Sequence, residues 1–165
     1  MQGFVRIINS AKRYVYIETP YFLPPEALMF ALKTAAASGV DVRLIVPRRS
    51  DVRLVEWGCR SYLREAKAAG IKIYLYNTGF LHSKLLVSDD AVCTCGSTNV
   101  DFRSFENNFE ANTFIYGREV ATRMKEIFMS DLRETIAFDN SGKKSARLYV
   151  SRFLEGFARM ISPLL

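Results

Sequence analysis

Apolar and polar positions along the chain alternate between two periods. Residues 14–19 (YVYIET) are rich in aromatic and β-branched side chains and are stopped by Pro20, which predicts a strand. A helix opens at Pro24-Pro25-Glu26, carries Leu28, Ala31, Leu32 and Ala35 on one face, and ends with Gly39 just past its C-terminus. Residues 40–46 form a short apolar run broken by Asp41 and Arg43. Ser50 and Asp51 then offer caps for a second helix, whose apolar positions Val55, Cys59, Tyr62, Ala66 and Ala69 step by fours and threes up to Gly70. A third strand follows at residues 71–76.

The stretches AASGVDVRLIV and AKAAGIKIYLY echo one another, each joining a helix end through glycine to a strand. Their separation of about thirty residues is that of consecutive strand-helix units in a largely parallel sheet. Past Gly79 the rhythm changes. Residues 81–88 and 91–95 are strand-like runs separated by the turn residues Asp89 and Asp90, which predicts a β-hairpin. A strand at 109–116, a helix at about 118–135, a polar loop at about 139–142 and a last helix at about 143–161 complete the expectation. The fold class expected is α/β, a mixed and largely parallel sheet flanked by helices, with residues 1–165 forming a single domain.

Composition removes whole classes of protein. With 165 residues, 49 % of them hydrophobic, the chain is long enough to bury a sizeable core and too apolar for intrinsic disorder. No stretch approaches the roughly 20 uncharged apolar residues of a bilayer span, and the opening MQGFVRIINSAKR lacks the apolar segment and cleavage site of an export signal. Three cysteines, Cys59, Cys93 and Cys95, are too few and too odd in number for a disulfide framework, so a reducing compartment is expected. They read as small apolar side chains. A zinc site joining them to His82 is disfavoured, because metal knuckles separate their cysteines by a turn rather than by one β residue. The net charge of +6 implies an anionic partner, be it nucleic acid, a phospholipid headgroup or a phosphate ester, and does not choose among them.

The chemistry concentrates between His82 and Glu110. His82 is the single histidine of the chain, and Lys84 stands two positions on. On a strand that spacing sends both side chains to one face with roughly 6.5 to 7 Å of rise between them, room for a phosphate between imidazole and ammonium. Gly96, Ser97 and Asn99 stand where the returning hairpin strand ends, and Glu110 at the start of the next strand. Singly, these are ordinary turn and surface residues; together they let three segments converge on one phosphate.

His82, Lys84 and Asp89 resemble the HxKxxxxD signature of the phospholipase D superfamily, and GSTN with the later NFE resembles the GSxN and acidic extension that follow it. The stretches TPYF, GVDVRLIVP, IYLYNTGFLHSK, STNVDFRSFENNFEANTFIY and the terminal SPLL are similar to the C-terminal half of bacterial cardiolipin synthases, so the resemblance covers nearly the whole chain. It implies a phospholipase D-like α/β/α sandwich. It also implies a two-step phosphodiester exchange through a phosphohistidine on His82, with no metal and no cofactor. Glu110 would accept the Nδ1 proton of His82, Lys84 and Asn99 would hold the non-bridging oxygens, and Ser97 would add a donor. Asp89 completes the candidate set; placed past the strand, it is expected to anchor the hairpin rather than touch substrate.

In this family two such motifs face each other, and the second histidine protonates the departing alcohol. A single histidine implies a partner. Either the chain is the C-terminal half of a longer enzyme, the reading favoured because Met1 falls just ahead of a strand with no anchor or first motif before it, or a homodimer shares the site. The substrate expected is phosphatidylglycerol, two molecules giving cardiolipin and glycerol. The full-length enzyme is expected at the bacterial cytoplasmic membrane, with this segment a soluble or peripheral domain on its reducing side and nucleic acid an unlikely partner. A phospholipase D or an endonuclease acting as a homodimer is the alternative, and a catalytically dead lipid-binding module is the non-enzyme one. The apolar stripe Val150, Phe153, Leu154, Phe157, Met160, Ile161 and Leu164 beside Arg147, Arg152 and Arg159 is expected to pack on the sheet, or else to lie in an anionic membrane surface.

Overall fold

The computed structural model describes residues 1–139, 156 and 158–160. Helix α1 (Gln2–Ser10) precedes strand β1 (Tyr14–Glu18); β2 (Phe22–Leu23), α2 (Glu26–Ala37), β3 (Asp41–Pro47), α3 (Arg53–Ala68) and β4 (Lys72–Tyr76) follow. The second half comprises β5 (Leu85–Ser88), β6 (Val92–Gly96), β7 (Val100–Asp101), a π-helical turn (Arg103–Asn107), β8 (Asn112–Tyr116), α4 (Arg118–Leu132) and β9 (Thr135–Ala137).

Seven strands form one sheet in the order β8-β6-β5-β1-β3-β4-β9. The ladders β1–β3 and β3–β4 are parallel, as the two strand-helix units predict. Those joining β1–β5, β5–β6, β6–β8 and β4–β9 are antiparallel. The sheet is therefore mixed but not largely parallel. A parallel neighbour needs a crossover helix, and only the two crossovers before Gly79 place consecutive strands side by side in parallel; α4 carries the chain from β8 to β9 at the opposite edge, where the neighbour β4 runs the other way. The central strand β1 lies at the junction, with a parallel neighbour on one side and an antiparallel one on the other, and all five of its residues are buried.

Helices cover both faces. On one, Phe4, Ile7 and Ile8 of α1, Leu28 and Leu32 of α2, and Val55 and Leu63 of α3 meet Val15, Ile17, Val42 and Leu44. On the other, Ala121 and Phe128 of α4 pack on Tyr14, Tyr16, Ile45 and Val87. Phe128 is fully buried with its ring stacked 4.7 Å from that of Tyr16, and truncating such a side chain costs about 3 to 5 kcal/mol. Helices α2 and α3 both run out into glycines in the left-handed region, Gly39 at φ +86° and Gly70 at φ +91°, where a β-carbon would be strained.

Several elements escaped the sequence reading. Helix α1 stands between Met1 and the first strand. Strand β9 begins at the expected end of the helix, Thr135, and continues through two residues, 136 and 137, that the pattern gives to no element. The two-residue strands β2 and β7 pair in parallel and join the TPYF segment to the GSTN segment. Ser50 and Asp51 do not cap α3: the N-cap position is Val52, and Asp51 instead accepts the Tyr21 hydroxyl at 2.9 Å. Most of the expected last helix and its apolar and basic stripes lie outside the described residues. Within them Ala158 is buried, and Arg159 reaches Glu65 at 2.5 Å with its guanidinium 4.3 Å from the Tyr62 ring. None of the described helices is long and apolar enough to cross a membrane.

Candidate active site

The segment carrying His82 is not a strand. Ladder bonding begins only at Leu85, and residues 81–84 lead into β5 as irregular backbone. The alternation nonetheless persists: Leu81 and Leu85 are buried under α4, whereas His82 is exposed. The expected gap between His82 and Lys84 is not present. Lys84 Nζ donates to the His82 carbonyl oxygen at 2.9 Å and lies 3.4 Å from both ring nitrogens. Burial lowers the Lys84 pKa, against the opposing charges of Glu110 and Asp101. A partly desolvated ammonium held on an imidazole is a strong electrostatic site for an anionic oxygen. The exposed Phe80 ring stacks on His82 at 5.8 Å.

Gly96 closes β6 where β8 crosses it. A β-carbon there would collide with the Ala111 carbonyl oxygen and with Asn112 Oδ1, so glycine is what allows the two strands to approach. The approach brings Ser97 against residues 110 and 111: its hydroxyl donates to Glu110 Oε2 and accepts the Ala111 N–H at 3.0 Å. The other carboxylate oxygen, Oε1, accepts Asn108 Nδ2 at 3.2 Å. The bond from Ser97, against a smaller effect of burial, holds the Glu110 pKa below the ordinary carboxylate value, with Asn108, Ser104 and the Lys84 charge adding to it. Glu110 precedes β8 rather than lying within it. No bond joins it to His82, although a carboxylate offers about four acceptor sites, enough for one more donor.

Asn99 is placed differently. Its N–H donates to Ser104 Oγ at 3.2 Å, while its Oδ1 is buried without a partner. Its side chain lines a pocket of about 250 Å³ with Tyr21, Leu23, Val55, Asp101 and Asn108. Thr19 steers this segment: its hydroxyl accepts the Val100 N–H at 3.0 Å and donates to the Tyr21 carbonyl oxygen at 2.8 Å. Of TPYF, Phe22 is core and Tyr21 a pocket wall.

Asp89 lies at the opposite end of β5 from His82. It accepts the N–H groups of Lys12, Arg13 and Tyr14 at 2.6, 2.9 and 2.9 Å. Those bonds outweigh burial and lower its pKa. Asp89 and Asp90 both have positive φ, and the Ala91 N–H closes the turn on the Ser88 carbonyl oxygen at 3.0 Å, the geometry in which short polar side chains replace glycine. Asp90 accepts Tyr14 Oη, Lys125 and Arg13, which overcome its burial and hold its pKa at about 2.

The structure thus joins His82 to Lys84 and Ser97 to Glu110, links the two pairs through the Lys84 charge, sets Asn99 in the adjoining pocket and leaves Asp89 remote. A match to the family model described as "Cardiolipin synthase, PLD-like domain" runs over residues 4–132. The chain belongs to that family. This PLD-like domain is 43 % identical to a cardiolipin synthase of Clostridium perfringens (strain SM101) over 99 % of its own length and 34 % of the relative's, so it spans about a third of that protein. Among solved structures, phosphatidylserine synthase of Haemophilus influenzae superposes with a TM-score of 0.78 at 18 % identity, covering 99 % of this chain and 44 % of that one. The phospholipase D family member Nuc of Salmonella typhimurium superposes with a TM-score of 0.75 at 19 % identity, covering 84 % and 90 %. The fold of the PLD-like domain is therefore the expected α/β one.

Residues that sequence reasoning passed over include Asn108, which holds Glu110, Ser104, which holds Asn99, and Thr19, which ties the two segments together. Asn108 and Ser104 lie in the DFRSFENNFE run and Thr19 in TPYF, where the motifs give none of them a separate role. The π-helical turn, closed by the Asn108 N–H on the Arg103 carbonyl oxygen at 2.7 Å, has no periodic signature. Cys59 accepts the Phe22 N–H at 3.3 Å, and burial pushes its thiol up to about 12.

Proposed function

We propose that this PLD-like domain supplies one half of the active site of a cardiolipin synthase, transferring a phosphatidyl group between phosphatidylglycerol molecules through a phosphohistidine on His82. The observation that carries the reading is the Lys84 ammonium held 3.4 Å from both nitrogens of the chain's single imidazole, beside a carboxylate already fixed by Ser97 and Asn108. It is supported by identity to a cardiolipin synthase along almost the whole chain.

His82 Nε2 attacks phosphorus, the bond to the glycerol oxygen breaks, and the phosphatidyl group rests on the imidazole. Glu110, with acceptor sites to spare, accepts a hydrogen bond from Nδ1–H and stabilises the ring that becomes positively charged when Nε2 bonds to phosphorus. Lys84 and Asn99 face the negative charge that builds on the non-bridging oxygens, and Ser97 holds Glu110 in place. The glycerol leaving group needs a proton. A second PLD-like half provides the acid and later deprotonates the hydroxyl of the incoming phosphatidylglycerol, which attacks phosphorus, frees His82 and yields cardiolipin and glycerol. Asp89 carries no step; it fixes the hairpin on which β5 hangs. The substrate places the whole enzyme at the bacterial cytoplasmic membrane, with this domain on the reducing side.

Phosphatidylglycerol turnover by this chain, alone and combined with the complementary first-motif half, tests the reading. The chain alone should fall short by about 10² to 10⁴ in rate for want of the facing acid, and the combination should restore cardiolipin formation. Nucleic-acid cleavage by the homodimer with no lipid turnover in the combination would overturn it.

A further inference from the structure

At the end of β1, beneath the segment that carries His82, stands a carboxyl group with no part in the chemistry above. Glu18 is 1 % exposed, and neither Oε1 nor Oε2 has a hydrogen-bond partner. Buried polar groups are nearly always paired, and an ionised one left unpaired is costly enough that the group stays neutral instead.

Its surroundings can be read off the ladders. Glu18 pairs in register with Ile45 of β3 and Leu85 of β5, both apolar. On the irregular segment leading into β5, Leu81 is buried toward α4 as Leu85 is, while His82 is exposed. Ser83 and, from α4, Asp131 come close enough to act on the Glu18 carboxyl, though neither closes a bond of good geometry. Lys84 feels the charges of Glu110 and Asp101. The charged group facing Glu18 is another acid, Asp131, on which Glu134 also acts.

We infer that Glu18 is a positioning residue: protonated, its buried carboxyl lets the His82–Lys84 segment lie packed against the sheet, and its ionisation, without a partner and facing Asp131, loosens that segment. The inference rests on reading that segment as the reactive one, but its structural consequence can be measured without lipid turnover. Burial pushes the Glu18 pKa up to about 7, Ser83 pulling it back and Asp131 pushing it further. Burial also raises the Asp131 pKa. A carboxyl raised in the folded state holds its proton where the unfolded chain has lost it, so its support for the fold declines as pH rises from the ordinary carboxylate range through about 7. The reactive segment is firm on the acid side of neutrality and looser above it.

Amide hydrogen exchange of residues 81–84 in the full chain, compared at matched pH between the parent and Glu18→Gln, tests this. Matched pH cancels the intrinsic exchange rate. At pH 6 the two should exchange alike within about twofold, and at pH 8 the parent should exchange at least about fivefold faster. A substitution acting only through packing would give one ratio at both pH values, and a constant ratio overturns the inference. If Glu18→Gln does not fold, Asp131→Asn takes its place: with the facing charge removed, the segment should exchange at least about threefold more slowly than the parent at pH 8 and equally at pH 6, and no difference at pH 8 overturns the inference. Carbon-13 titration of the Glu18 carboxyl should show a midpoint near neutrality; a midpoint in the ordinary carboxylate range overturns it. In the whole enzyme, Glu18→Gln should flatten the alkaline decline of kcat with KM unchanged. Failure of that kinetic arm with the exchange result intact would count against the proposed reaction and leave the positioning role standing.

Discussion

Between β1, β3 and β4 the ladders are parallel and what fixes them is apolar: Val42, Leu44 and Val46 against Leu28, Leu32 and Leu63. Between β5, β6 and β8 the ladders are antiparallel, and the contacts that fix their ends are polar. Asp89 takes three backbone N–H groups at one end, and Ser97 with Asn108 binds Glu110 at the other. The two halves meet at β1. Apolar packing tolerates small displacements, whereas hydrogen bonds fix direction, and it is the half built on hydrogen bonds that carries His82 and Lys84. The reactive residues lie where the ladder stops, at 81–84 and 97–111, so that their side chains are free of strand geometry but tied down on both sides.

Four substitutions or treatments separate the halves, from the largest effect down. Replacing His82 by Ala or Asn should lower headgroup exchange in the complete enzyme by at least about 10³, since no other described side chain can form the phosphoenzyme; chromatography of labelled lipid products measures it, and a loss within tenfold would count against the mechanism. Leu44→Ala in the parallel half should cost about 3 kcal/mol in denaturant unfolding with kcat preserved in the folded fraction. Asp89→Ala, which leaves the Lys12, Arg13 and Tyr14 N–H groups without their acceptor, should cost about 1 to 3 kcal/mol and loosen β5 and β6 selectively in amide exchange. Ser97→Ala should lower kcat roughly tenfold by freeing Glu110, with stability nearly unchanged.

The two ends of the sheet should also part company with pH. Asp41, Asp89 and Asp90 cluster at the end where β1 begins, and all three have lowered pKa values, Asp90 at about 2. Groups depressed in the folded state lend stability above their ordinary carboxylate range and lose it as pH falls through the folded values. Acid should therefore loosen the hairpin end first, read as amide exchange at residues 88–92 between pH 4 and 2. Glu18, with the opposite sign, works at the other end of the same strand.

Legibility in the sequence follows the same division. The strand-helix units of the parallel half announce themselves through apolar periodicity and through Gly39 and Gly70, and their bounds were predicted to within a few residues. The hairpin was legible from Asp89-Asp90, and the candidate residues from their motifs. What was lost depends on the third dimension. Strands of two and three residues such as β2, β7 and β9 leave no period to detect. Helix α1 has its buried Phe4, Ile7 and Ile8 at helical spacing, a signal present but short. The partner chosen by Glu110, and the burial of Glu18 between Ile45 and Leu85, arise from pairings between residues far apart in sequence.

The central claim is a covalent bond between His82 and phosphorus. Rapid acid-free quench of the complete enzyme with excess phosphatidylglycerol, followed by intact-protein and peptide mass spectrometry, addresses it most directly. The account predicts a phosphatidyl adduct on the peptide carrying residues 81–84, labile to acid and absent in His82→Asn. Turnover proceeding at full rate with no adduct on His82 at any quench time, or an adduct that survives in His82→Asn, would contradict it.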